Sequence, residues 1–170
     1  MKKILSAIVL AALLLTVATG ALAATGLGTV TAVSCTAATA DAAGSVEVDT
    51  TVCAVTIDEE GKITSISFDV VQSKGTFDAT GALTCEATMA PQSKKELGED
   101  YGMGKYSPIG KEYDEQMEAL EAWCIGKTVE EITGMTLEAG VATDADLVSG
   151  CTVHITDQLA ALAKAAAAAK

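Results

Sequence analysis

The chain has no arginine, a single histidine, and no two cysteines in C-x-x-C spacing. Each absence removes a class of function. With 23 acidic against 11 basic residues and a net charge of −12, all of the basic residues being lysine, the surface is a poor partner for nucleic acid. Binding there depends on clustered Lys and Arg at phosphates. Anionic membrane surfaces are disfavoured on the same ground. One histidine among widely spaced cysteines makes no recognisable ligand set for zinc or an iron–sulfur cluster. Nor is there a supported Ser-His-Asp set, so nothing points to hydrolytic catalysis. The acidic balance speaks to solubility and not to mechanism.

What is present begins with a leader pattern. Lys2 and Lys3 form a short basic start, Ile4 to Val17 an apolar stretch, and Ala21-Leu22-Ala23 a small-x-small cleavage site. Residues 1–23 therefore read as a signal peptide removed on export, which implies a secreted or extracytoplasmic protein without stable membrane insertion. Cys35 lacks the Leu-Ala-Gly lead-in of a lipoprotein signal, so no lipid anchor is expected. Loss of Lys2 and Lys3 takes the net charge from −12 to −14. Residues 24–164 then form a single domain. Residues 165–170 form an alanine-rich tail with good helix propensity and nothing to pack against. Five cysteines (Cys35, Cys53, Cys85, Cys124, Cys151) are an odd number for an exported chain. Two readings stay open: one or two disulfides with at least one thiol left, or reduced thiols serving as small apolar core residues.

The pattern along residues 27–83 is strand-like. Val30 to Ser34 and Val46 to Ile57 are rich in β-branched residues with partial alternation, which continues from Ile63 to Phe68. Asp58-Glu59-Glu60-Gly61-Lys62 and Asp78-Ala79-Thr80-Gly81-Ala82 read as two hairpin turns. Beyond them lies a glycine-punctuated loop over residues 93–110, carrying Tyr101, Met103 and Tyr106. Met117, Leu120, Trp123 and Cys124 then recur at helical spacing, with Glu112 to Glu121 filling the outer face, so residues 112–125 are a helix stopped by Gly126. Trp123 belongs to the packed stripe. Thr128-Val129-Glu130-Glu131 is a capping box opening a short helix that ends near Gly134. Val153-His154-Ile155 reads as extended, and Thr156 as the cap of a terminal helix. The expected fold class is α+β, an antiparallel meander sheet packed against a few helices.

One string stands apart: Asp146-Leu147-Val148-Ser149-Gly150-Cys151-Thr152. Thr152 offers a hydroxyl, Gly150 a small neighbour and Asp146 a nearby carboxylate, the components a phosphoester attachment needs. The plain alternative is a turn in which Asp146 caps and Ser149-Gly150 join a helix to a strand. The string resembles the D-x-x-S-G-A-T flavin-attachment signature of the FMN-binding domain family, which includes the flavin-carrying subunits of the sodium-translocating NADH:quinone reductase and of Rnf complexes. Cys151 stands where alanine is usual. The acidic hairpin, glycine loop, Trp123 helix, motif turn and last helix follow the family's order over residues 52–163, the second hairpin being an insertion. In the family the last helix begins within a couple of residues of the threonine; here Val153-His154-Ile155 intervenes. The Glu-Thr-Pro-Gly string of the family's glycine loop is missing. Thr80-Gly81-Ala82-Leu83-Thr84 looks superficially similar to the motif, but its spacing from Asp78 is wrong, and it reads as an ordinary connection between strands.

The resemblance implies an exported electron carrier more than a substrate-converting enzyme, with FMN joined to Thr152 by a flavin transferase. A redox protein or a quinone-type molecule would be its donor or acceptor. Asp146, Ser149, Gly150 and Cys151 would shape the attachment turn, and Tyr101 and Met103 would lie against the flavin. His154, sharing a strand face with Thr152, would approach it and move a proton near neutral pH. The alternative is a secreted, non-enzymatic small-ligand-binding module of the same fold without flavin.

Overall fold

Alternation in the first half of the chain becomes a three-stranded antiparallel sheet in the computed structural model, which describes residues 23–170. All but the last residue of the expected leader lies outside the described residues. Strands β1 (Ala24–Thr36), β2 (Gly44–Ile57) and β3 (Ile63–Phe77) follow one another in space as in sequence. Asp58 makes the β2–β3 turn: its carboxylate accepts from Glu60 N (3.1 Å) and Lys62 N (2.7 Å), and Gly61 takes φ 78°. The register sets Gly28, Cys53 and Phe68 in one row, and Gly26, Val55 and Ile66 in the next. These rows face the helices; the opposite face carries the exposed Leu27, Ala54 and Ser67. The class is α+β, as the pattern implied.

The helices after the sheet are α1 (Lys94–Leu97), followed by a 3-10 turn at Gly98–Tyr101, then α2 (Tyr113–Cys124) and α3 (Val129–Thr133). A small β4–β5 hairpin (Leu137–Glu138, Val141–Ala142) leads into α4 (Ala145–Val148) and α5 (Thr156–Ala168). Met117, Leu120 and Cys124 of α2 meet Phe68, Ile155 and Leu162 in one buried cluster. Each large apolar side chain buried there contributes roughly 1.5–3 kcal/mol. Glu121 ties α2 to the edge of β3, accepting from Phe68 N (2.7 Å) and from the Lys95 ammonium (2.6 Å).

Five expectations change. The Asp78 turn forms, but the strand beyond it shrinks to a single Phe77–Leu83 bridge. Instead of a new strand, Cys85 Sγ accepts the Thr76 N–H (3.2 Å). Gln116, placed by sequence on the outer face of α2, is wholly buried. Residues 153–155 are not a strand, because the Ile155 N–H binds Gly140 O (2.9 Å) and its own carbonyl already accepts from Leu159 N. Ile155, not Thr156, is thus the cap position of α5. Finally, the alanine run has something to pack against: α5 continues to Ala168, and Ala165 is wholly buried. A methyl group at Gly26 would run into the Ala165 carbonyl, and one at Gly28 into Ala161 O and Ala165 N. Two glycines on β1 therefore let the helix backbone lie directly on the strand.

Candidate functional site

The motif turn is built around Asp144. Its carboxylate caps α4 by accepting from Asp146 N (3.1 Å) and Leu147 N (3.2 Å), a role that the plain-turn alternative assigns to Asp146. The Asp146 side chain is left exposed, while its carbonyl accepts the Ser149 hydroxyl (2.8 Å). Gly150 and Cys151 both donate their N–H to Leu147 O, closing the short helix. A side chain at Gly150 would lie 2.7 Å from the Ala119 methyl of α2, so the turn seats on α2 only with glycine there. Cys151 is buried in the core, and burial raises its thiol pKa. It packs as an apolar residue of the core cluster.

Thr152 emerges from this turn half-buried and held by Gln116. The Gln116 carbonyl accepts from Thr152 N (2.9 Å) and lies 3.3 Å from the Thr152 hydroxyl oxygen. Its amide donates to Ser107 Oγ and Lys111 O, both at 3.0 Å. One buried side chain thus joins the motif turn to the glycine loop. Glu112 holds the same loop from the start of α2, accepting from Met103 N (2.7 Å) and Gly104 N (2.9 Å).

A cleft of about 360 Å³ opens at the next residue, with Val153 and His154 in its wall. The volume lies within the range of small-molecule sites, about 300–1,000 Å³. Tyr101 and Met103 from the loop, Tyr113 from α2 and Lys94 from α1 line it, with Asp49, Thr51 and Val70 from the sheet and Thr156, Asp157 and Gln158 from α5. The tyrosine rings meet edge to face at 6.0 Å, and the Lys94 ammonium sits 5.1 and 5.3 Å from their centroids. Burial raises the Tyr113 phenol pKa well above its ordinary value, so it is a neutral hydroxyl; its oxygen accepts from Gln158 Nε2 (3.3 Å).

Of the residues singled out by sequence, Tyr101, Met103 and His154 converge on this cleft. Thr152 adjoins it, and Asp146, Ser149, Gly150 and Cys151 do not line it. His154 gets there without the expected strand, since residues 152–155 are irregular and no strand face relates it to Thr152. Trp123 is half-buried at the edge of the core, its ring 4.0 Å from the Lys127 ammonium. Sequence reasoning missed Lys94, Tyr113, Gln116 and Asp49. The signal for two of them was present: Tyr113, Gln116, Met117, Leu120 and Cys124 form an i, i+3, i+4, i+7, i+11 stripe, and a glutamine inside such a stripe requires partners.

Among the described residues, no group of three His, Cys, Asp or Glu side chains is arranged to hold a metal ion. Among them also, no helix is long and apolar enough to cross a membrane. Comparison with protein-family models, with curated proteins and with solved structures returned no match.

Proposed function

We propose that the chain is an exported FMN-carrying electron-transfer protein, with the flavin phosphate on the Thr152 hydroxyl and the ring system in the adjoining cleft. The observation that carries this is the convergence of Tyr101, Met103, Tyr113, Lys94 and His154 on one cleft whose wall begins at Val153, the residue after the candidate acceptor. These residues fit the group. Two aromatic rings and a thioether offer flat, polarisable walls to a planar heterocycle, and the Lys94 ammonium offers a donor to its carbonyls. A bound flavin would supply one- and two-electron chemistry. The protein's part is to hold and to tune. Gln116 keeps residue 152 in place, Glu112 keeps the loop closed, and the neutral Tyr113 hydroxyl supplies a donor without charge.

The test is co-expression with a flavin transferase, followed by intact mass and in-gel fluorescence of the denatured protein. Wild type should gain the mass of FMN less water and fluoresce; Thr152→Ala should stay dark, and Thr152→Ser should retain part of the signal. A dark wild-type band with the mass of the bare chain would remove the covalent reading. One observation favours a second reading, a non-covalent small-ligand module using the same cleft: the Thr152 hydroxyl is already engaged by the buried Gln116 carbonyl.

A further inference from the structure

Asp49 presents a problem that a flavin held only by Thr152 and the tyrosine walls leaves unsolved. It lies on the helix-facing side of β2, two residues before Thr51, and its side chain forms part of the cleft wall. Its Oδ1 is buried and has no hydrogen-bond partner among the described residues. Buried polar atoms in native proteins nearly always have a partner, because an unmet one costs the desolvation it suffered. The sheet supplies none here, since Gln72, paired with Asp49 across β2 and β3, donates its amide to Glu47 instead (3.0 Å). The acceptor is therefore left for something that enters the cleft. Rotation about Cβ–Cγ exchanges the two carboxylate oxygens at little cost, so an incoming N–H can meet either.

The second charged group in the cleft sharpens the choice. Lys94 has no carboxylate within ion-pair distance among the described residues; its ammonium rests over the two tyrosine rings instead. The cleft thus combines a carboxylate lacking a donor, an ammonium lacking an anion, and aromatic walls. A planar ring with an N–H flanked by carbonyl oxygens satisfies all three. That is the imide edge of a flavin, O=C–N(H)–C=O.

Resting on the flavin reading, we infer that Asp49 is the residue that recognises the flavin: its carboxylate accepts the imide N–H, while the Lys94 ammonium donates to a flanking carbonyl. Recognition then lies in the cleft and is separate from attachment at Thr152. A ring without the imide hydrogen is rejected because it leaves Asp49 unmet. The same reasoning makes Asp49 a cost to the ligand-free protein.

The test uses the full chain made without a flavin transferase and two probes lacking phosphate, lumiflavin and 3-methyl-lumiflavin, which differ only in the imide hydrogen. Quenching of flavin fluorescence reads binding. Wild type should bind lumiflavin about tenfold to a hundredfold more tightly than the methylated probe, as expected for a hydrogen bond to a charged acceptor. Asp49→Ala should lose that discrimination, and Asp49→Asn, which keeps an acceptor, should regain part of it. Lys94→Met should weaken both probes alike. The ligand-free Asp49→Ala protein should unfold at the same or a higher temperature than wild type; a clear drop would make Asp49 a structural carboxylate and overturn the inference. Equal binding of both probes by wild type would overturn it too while leaving the flavin reading standing. Binding of neither probe would sink the flavin reading, and this inference with it.

Discussion

Gln116 Oε1 lies 2.9 Å from the Thr152 amide nitrogen and 3.3 Å from its hydroxyl oxygen, across 36 residues of chain. Because the same side chain also donates to Ser107 and Lys111, four polar groups depend on one buried amide. Gln116→Leu keeps the volume and removes every partner. It should cost about 2–4 kcal/mol in urea unfolding. Gln116→Glu keeps the acceptor for Thr152 but loses both donors, and should fall in between.

The contact between α5 and β1 predicts a steep response to one added methyl. Gly28→Ala would bring Cβ against backbone atoms of Ala161 and Ala165, which cannot rotate away as a side chain can. A loss of at least about 1–3 kcal/mol is expected by thermal unfolding. Deleting residues 165–170 should cost about 1–2 kcal/mol, since Ala165 is wholly buried. A neutral deletion would mean that the alanine run contributes nothing.

Two carboxylates on one turn should separate by role. Asp144→Ala removes the cap of α4 and should cost about 1 kcal/mol. Asp146→Ala touches an exposed side chain that caps nothing, so its stability cost should stay within about 0.5 kcal/mol. If the transferase reads that carboxylate, flavin loading of Asp146→Ala should nonetheless fall, as measured by the fluorescence of the denatured band.

The thiols predict an alkaline weakness. Burial, the largest cause for both, pushes Cys53 and Cys124 from 9.0 up to about 12. Unfolded, each loses its proton near its ordinary value; folded, each keeps it until near 12. Between those values the folded state binds more protons, so stability falls as pH rises. The contribution is complete below about pH 9 and is lost toward pH 12, with a slope of about 1.4 kcal/mol per pH unit for each thiol. Urea midpoints at pH 8, 9 and 10 read this directly. At pH 8 the exposed Cys35 should alkylate quickly, while Cys53, Cys124 and Cys151 should react only on unfolding.

Much of the architecture was written locally. Two acidic turns with glycine at positive φ, β-branched strands and a Thr128 capping box specify their own conformations through the few residues involved. The helix of residues 112–125 was legible from its apolar spacing, and the observed Tyr113–Cys124 differs only at the ends. The extended reading of residues 153–155 failed because a long-range bond from Ile155 to Gly140 overrides β-propensity.

Fold class, most element positions, the motif's place on a turn, and Tyr101, Met103 and His154 as residues of interest could be read from the chain alone. Which of them meet depends on packing. The cleft draws its wall from β2, β3, α1, α2 and α5, and no local pattern encodes the packing that brings Asp49, Lys94 and Tyr113 together. Likewise, the glycines of β1 carry no mark of their purpose until α5 lies on them, and Gln116 appears as one more polar helix residue until burial forces it to find partners. Local propensity acts over a few residues. Burial and close approach are properties of the assembled core, and they choose among the conformations that propensity allows.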